Sequence, residues 1–160
     1  MKKIFYMFCY AIMFSTVQVA LAFNENVGLY ETPINNNYDG DYVGVMDSIY
    51  MDGKKYDSQN ATFTITNNNK LKCNFPKIGK MPGNIVLDLP ITISSNGVIS
   101  AQKGVKAGTL KILHLFPVPL KLDELTNAKV DGTLIEFDLK VSGEYNGKNF
   151  PAAIKFKGHK

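Results

Sequence analysis

Hydrophobic and polar side chains alternate with a period of two through most of residues 41–160. The alternation is clearest over residues 133–141, where single charged residues separate Ile135, Phe137 and Leu139. Successive side chains of a β-strand point to opposite faces, so this pattern predicts a strand with one buried and one solvated face. The same pattern predicts further strands over residues 60–67, 70–75, 84–94 and 150–157.

Turn signals separate these predicted strands at short intervals. Asn67-Asn68-Asn69 is a turn cluster, and Asn96-Gly97 is typical of a tight hairpin whose two central residues have positive φ. Pro117 and Pro119 predict a break in regular structure, so residues 120–127 are interpreted as a single helical turn or a crossing loop. About eight or nine short strands without a long helix predict an all-β barrel or sandwich.

A series of short motifs follows in a fixed order along residues 41–160. In chain order they are Tyr42-Val43-Gly44, Ala61-Thr62-Phe63-Thr64-Ile65-Thr66, Asn74-Phe75, Gly83-Asn84-Ile85-Val86, Val130-Asp131-Gly132 and a last strand ending at Gly158. Their order and spacing resemble the calycin-like domain of secreted bacterial proteins, which are relatives in shape of the lipocalins. The resemblance implies an antiparallel up-and-down barrel of about eight strands whose mouth can hold one small ligand. Met46 stands where lipocalins carry Trp, so lipocalin transport is not carried over.

Residues 1–22 have the pattern of a secretory signal peptide. Lys2 and Lys3 precede an apolar run, and Ala20-Leu21-Ala22 provides the small residues that a signal peptidase requires. The apolar run is shorter than the roughly 20 residues of a membrane-spanning helix, which favours cleavage over anchoring. We therefore expect a bacterial protein that is exported to the periplasm or secreted, without a membrane span after cleavage.

The residues around the expected cleavage site argue against a lipid anchor. Cys9 lies inside the apolar run, and Phe23 stands where a lipoprotein would have its Cys. Residues 23–40 are rich in Asn and lack periodicity, so we interpret them as a flexible polar leader. Residues 41–160 then form a single calycin-like barrel domain.

Charge and cysteine content exclude several classes of function. Loss of Lys2 and Lys3 lowers the formal net charge from +4 to +2, which is too weak an electrostatic footprint for nucleic-acid binding. Cys73 is then the remaining cysteine, so no internal disulfide is possible. A protein partner is not identifiable from composition.

The residues that could carry chemistry do not assemble into a motif. Cys73 lies on an apolar face, which raises the pKa of a thiol and makes it inert. His114 and His159 do not match zinc spacing, and Asp123 and Glu124 are adjacent and cannot flank one glycosidic bond. We expect no enzymatic activity, no metal and no cofactor.

Two polar residues keep a functional alternative open. Ser48 lies in Asp47-Ser48-Ile49, which resembles the O-glycosylation pattern of some exported bacterial proteins, although an unmodified strand Ser is favoured. His114 stands between Ile112 and Phe116 near the expected barrel mouth. A hydrogen-bonded rim histidine is favoured there over a contact to a ligand or to haem iron.

The aromatic faces of the predicted strands are expected to point into the barrel. Eight strands leave an interior that side chains can fill or that can hold one small ligand. Our first hypothesis is a non-enzymatic exported protein that binds a small apolar ligand inside the barrel. The alternative is a structural or protein-interaction module with a filled barrel and no ligand. The candidate interior residues are Phe63, Ile65, Phe75, His114, Ile135, Phe137 and Phe156.

Overall fold

The computed structural model describes residues 37–75, 77–78, 83–112, 116–145 and 147–160. The predicted signal peptide, leader residues 23–36 and His114 lie outside these ranges. Within them the chain forms strands and turns without a helix. The strands are β1 (Gly40–Met51), β2 (Lys54–Tyr56), β3 (Gln59–Thr66), β4 (Lys70–Asn74), β5 (Gly83–Pro90), β6 (Thr92–Ile93), β7 (Ile99–Ser100), β8 (Lys106–Ile112), β9 (Phe116–Asp131), β10 (Leu134–Tyr145) and β11 (Lys148–His159).

Eight of the described strands form a closed antiparallel up-and-down barrel, which confirms the predicted fold class. Going around the barrel, the order is β1, β3, β4, β5, β8, β9, β10 and β11, and β11 pairs back with β1. Strand β2 lengthens the sheet beside the end of β1, while β6 and β7 form a separate hairpin. Each barrel strand is therefore next to its neighbours in the chain, apart from the closing pair.

The closing pair requires glycine near the start of β1. Gly44 of β1 lies directly opposite Gly158 of β11. A Cβ atom on Gly44 would lie 2.1 Å from the carbonyl oxygen of Lys157, far inside van der Waals contact. The aromatic-x-Gly motif that opens the barrel therefore marks a place where the last strand leaves no room for a side chain on the first.

Strand β9 corrects the expectation of a break at Pro117 and Pro119. It is continuous from Phe116 to Asp131, so the helical turn or loop predicted for residues 120–127 is wrong. The two prolines lie opposite β8, whereas β10 pairs with β9 only from Leu120 onward. Since no strand beyond them needs an N–H donor, proline is tolerated at this edge.

Two irregularities explain why β9 lacked a clear alternation in the sequence. The register with β10 shifts between Glu136 and Asp138 and again between Lys140 and Val141. Asn127 on β9 has a φ of 51°, outside the extended region. Each bulge reverses the inward and outward positions, so a period of two cannot persist along the whole strand.

The predicted hairpins are present, with one difference in turn geometry. Asn67 and Asn68 between β3 and β4 have φ values of 52° and 50°, the left-handed region that a type I′ turn needs. Between β6 and β7, by contrast, Gly97 has a φ of 80° while Asn96 has none in this region. That hairpin therefore relies on Gly97 alone.

One end of the barrel, which we call the capped end, is covered by the β6–β7 hairpin. Ile91 and Ile99 are buried there, and the Val130 N–H donates to the carbonyl of Gly97 at 2.8 Å. The last residues of the predicted leader contact the same end. The Tyr38 N–H donates to Asn68 Oδ1 at 3.0 Å, and the Asn68 N–H donates to an Asp39 oxygen at 2.7 Å. The chain thus enters β1 across the β3–β4 turn.

Candidate functional site

Six of the seven predicted interior residues are described, and all six point into the barrel. Their side chains are almost completely removed from solvent, with Phe75 the most exposed at 8%. No charged side chain is buried in the described part of the chain. The six residues are Phe63, Ile65, Phe75, Ile135, Phe137 and Phe156.

The four phenylalanines among them form one aromatic cluster across the barrel. Phe63 is its centre, with ring centroids 5.8 Å from Phe75, 4.9 Å from Phe137 and 4.4 Å from Phe156. Its contacts with Phe75 and Phe137 are edge-to-face, an arrangement that the ring quadrupoles favour. Rings from β3, β10, β11 and the end of β4 therefore occupy the space that a ligand would need.

Very little volume remains inside. The interior space lies toward the end opposite the capped end and amounts to about 10 Å³. That volume corresponds to about one water-sized probe, whereas small-molecule pockets usually measure ~300–1,000 Å³. Its lining is entirely hydrophobic and includes Met51, Ile78 and Val141, so a water there would lack hydrogen-bond partners.

A wide concave surface lies on the outside of the barrel, between β3 and β4. This β3–β4 groove has a volume of about 760 Å³ and is lined chiefly by Asp41, Asn60, Thr62, Lys72, Asn74 and Asp88. It exists because the two strands separate early. Their pairing begins at Thr66 and Lys70 and ends after three residue pairs, at Thr64 and Lys72.

Beyond that point the two strands keep only their outer neighbours. Over residues 59–63, β3 pairs with β1, and over residues 73–74, β4 pairs with β5. Inward-facing residues beside the separation retain slight exposure, with Ala61 at 8% and Cys73 at 5%, while Phe63 between the strands is fully buried. The Phe63 and Phe75 rings close the gap from inside.

The alternation of side chains along the sequence did not indicate this groove. The two strands of its hairpin differ in length, because β3 has eight residues and β4 has five. Pro76 follows closely in the sequence, and a proline limits how far a paired strand can continue. A hairpin with unequal arms leaves part of its longer arm without a ladder partner.

The environment of Cys73 confirms the expected effect of burial on its thiol. Burial among apolar residues raises the pKa of Cys73 to about 12, so it is protonated at neutral pH. Asp123 and Glu124 are engaged by two different residues of β10. Asp123 accepts a hydrogen bond from Ser142 at 2.8 Å, and Glu124 pairs with Lys140. The described residues contain no group of three or more His, Cys, Asp or Glu that could hold a metal ion.

Charged side chains on the outer face of β9, β10 and β11 pair with one another across the strands. Lys155 lies 3.6 Å from Asp138, and Lys157 lies 3.8 Å from Glu136. The pKa of Lys140 is raised by its hydrogen bond to Glu124 and by the charge of that carboxylate. The charges on this face therefore neutralise one another.

Ser48 occupies an irregular position in β1. Its φ is 47°, and the register between β1 and β11 shifts between Asp47 and Tyr50. The side chain is half-buried at this bulge. An unmodified Ser48 stays the favoured prediction, with O-glycosylation as its alternative.

Comparison of the chain with protein-family models, with curated proteins and with solved structures found no match. In the described ranges, no helix has the length and hydropathy needed to cross a membrane. Function is therefore inferred from the filled interior and from the outer surface of the barrel.

Proposed function

We propose that this chain is an exported, non-enzymatic protein-interaction module that acts through the outside of a filled barrel. One observation carries the proposal: the interior space lined by Met51, Ile78, Val141 and their described neighbours amounts to about 10 Å³. A barrel that carries a ligand needs a cavity tens of times larger, with a few polar groups that orient the bound molecule. Here four phenylalanine rings fill the middle, and the described interior has no buried charged side chain.

Export and family membership are part of the same proposal. The expected signal sequence over residues 1–22 supports export. The eight-stranded up-and-down closure supports a relationship to calycin-like domains, because that closure is what the resemblance implies. Absence of enzymatic activity is supported by the protonated, buried Cys73 and by the separate pairing of Asp123 and Glu124.

A carrier of a small apolar molecule is the second candidate. The observation that favours it is the lining of the remaining interior space, which is hydrophobic throughout. A molecule that enlarged this space would meet Met51, Ile78 and Val141 and would gain by burying apolar surface. This candidate requires the barrel to expand, whereas the filled module uses the barrel as it stands.

Binding of apolar molecules separates the two candidates. We expect neither benzene nor an apolar naphthylamine dye to bind the wild-type protein in calorimetric or fluorescence titrations. Phe63→Ala is the positive control, because an empty apolar cavity of ring size stays dry and accepts benzene. Leu134→Ala is the matched negative control, since Leu134 is 52% exposed on the outer face.

The opposite result has a defined meaning. Saturable binding of the dye to the wild type, weakened by Phe63→Ala, would overturn the filled module and support the carrier. Benzene binding by Phe63→Ala alone would support the filled module, because it would show that the ring occupies the only space available to that probe.

A further inference from the structure

We propose that the β3–β4 groove binds an extended peptide segment of a partner protein, which adds to the sheet as a strand along β3. The inference rests on the proposed function and specifies the surface and the type of partner. Strand addition uses the backbone groups of an unpaired sheet edge for affinity and alternate side-chain positions for specificity.

The alternation of backbone direction identifies the groups that the groove offers. The Asn69 N–H donates to the Thr66 carbonyl at 3.2 Å, so the backbone groups of Thr66 face β4. In a strand, alternate residues direct their N–H and C=O groups to opposite neighbours. Thr62 and Asn60 therefore turn theirs toward the groove, while Ala61 and Phe63 turn theirs toward β1.

The facing strand offers a matching group. The Phe75 N–H donates to the Ile85 carbonyl on β5 at 2.9 Å, so Phe75 and Cys73 face β5. Asn74, between them, consequently faces β3 across the groove. Because the ladder between β3 and β4 ends at Thr64 and Lys72, the groups of Thr62 and Asn74 have no ladder partner among the described residues.

The β3 edge lacks the features that normally prevent strand addition. Exposed edges are usually protected by Lys, by Pro or by a bulge. Residues 59–63 contain no charged residue and no proline, and their register with β1 has no shift. Elsewhere in this barrel such protection is present, as Pro117 and Pro119 show at the edge of β9.

The side chains of the groove indicate the chemistry of the peptide. Its inward-facing residues would lie over Ala61 and Cys73 above a filled core, which favours small side chains such as Ala or Gly. Its outward-facing residues would lie beside Thr62 and Thr64, which favours β-forming residues such as Thr or Val.

Charge adds a further requirement at one end of the groove. The Asp41 carboxylate accepts a hydrogen bond from Thr64 Oγ1 at 2.6 Å and forms no salt bridge with another described residue. Asp88 on the far wall already lies 3.4 Å from Lys70. Lys72 lies opposite Thr64 on the other wall and forms no salt bridge with Asp41. The peptide that fits best is therefore a short extended segment with a Lys or Arg placed at Asp41.

The first experiment uses two blocked pentapeptides that alternate Ala with Thr and carry either Lys or Glu at one end. Each is titrated into the isotope-labelled protein and followed by NMR. We expect shifts at Asn60, Thr62 and Asn74, and a two- to fivefold tighter binding of the Lys peptide, the ratio expected for about one exposed ion pair. Asp41→Asn should remove that preference, and it should bind the Glu peptide at least as tightly as the wild-type protein does.

Two variants at one position test the backbone contribution. Thr62→Pro removes the N–H that faces the groove, and we expect it to weaken binding of the Lys peptide about tenfold. This is the effect of losing one backbone hydrogen bond at the strong end of the range for such bonds. Thr62→Val retains the N–H and should bind like the wild type. Equal binding by all three proteins would overturn strand addition.

Hydrogen exchange in the wild-type protein provides a test that needs no substitution. The Thr62 amide should exchange much faster than those of Ala61 and Phe63, which face β1, and the Lys peptide should slow it. A Thr62 amide that is already protected in the free protein would show that the edge is closed and would overturn the inference. If neither peptide binds and the wild-type protein also excludes the apolar dye, the groove site is wrong and the proposed function still holds. If the wild-type protein binds the dye, the proposed function itself is wrong.

Discussion

Single residues report how tightly the barrel is packed, and Phe137 is the most informative. It is 1% exposed, and its ring centroid lies 4.9 Å from Phe63 and 5.4 Å from Phe156. Phe137→Ala would remove both contacts and leave a cavity that the surrounding strands cannot fill. We expect chemical denaturation to show a loss of about 3–5 kcal/mol in the free energy of unfolding.

Leu134 is the matched control for Phe137 on the same strand. It lies an odd number of residues away, faces solvent and is 52% exposed. Leu134→Ala should change the free energy of unfolding by no more than about 0.5 kcal/mol. If the two variants were destabilised equally, the inward and outward faces of β10 would not be as described.

The thiol of Cys73 links burial to pH. Burial raises its pKa from 9.0 to about 12, so between these values the folded protein holds a proton that the unfolded chain releases. The stability that the folded protein gains by holding this proton is complete below about pH 9 and is lost as pH rises toward 12. Denaturation should therefore show a steeper loss of stability over this range in the wild type than in Cys73→Ala. Parallel curves for the two proteins would contradict the raised pKa.

At the scale of elements, a strand could be predicted from the sequence when its inward and outward side chains alternate regularly. Strand β10 was recognisable because alternation persists from Ile135 to Val141 despite the shifts in its partner β9. Strand β9 was not, because two bulges reverse its faces and two prolines suggest an interruption. The sequence pattern shows which side chains of a strand face the core and which face solvent. It carries little information about the register that a neighbouring strand imposes.

The turn between β3 and β4 gives a prediction at this scale. Asn67 has a φ of 52° and is exposed, so its identity matters chiefly through the backbone. Asn67→Gly should preserve or increase the melting temperature, because glycine adopts positive φ without a steric cost. Asn67→Val should be less stable than Asn67→Gly by about 1–2 kcal/mol, since a β-branched residue is strained there. Indistinguishable thermal unfolding of these variants would contradict the left-handed geometry.

At the scale of the whole molecule, the fold class was predictable and the groove was not. Short alternating strands and polar turns are sufficient to indicate a closed all-β architecture. The sequence did not decide between a filled interior and a cavity, because it does not show whether the side chains of Phe63, Phe137 and Phe156 contact one another inside the barrel. The groove depends on where β3 and β4 separate, and this is a property of the assembled sheet.

The pairing of β1 with β11 brings the two ends of the barrel sequence together at the capped end. The Cε of Lys160 would lie 2.5 Å from a Cβ on Gly40, so a short linker can join residue 160 to residue 37. A circular permutant opened at the exposed Gly132 turn should retain the β-rich circular dichroism of the wild type. It should refold no faster than the wild type, because β9 and β10 then become the closing pair and make more residue pairs than β1 and β11 do. Faster refolding of a stable permutant would contradict this account of the closing pair.

The same closure determines what a growing chain displays before it is finished. Among the described strands β1 is made first, but β11, one of its barrel neighbours, is made last. Until then β1 presents an open edge flanked by Val43 and Val45, which remain 54% and 45% exposed even in the finished barrel. An unpaired edge with β-branched apolar residues is a template for aggregation. A nascent chain that stalls before β11 should therefore be a strong client for chaperones, and release of the last strand is the step that ends this dependence.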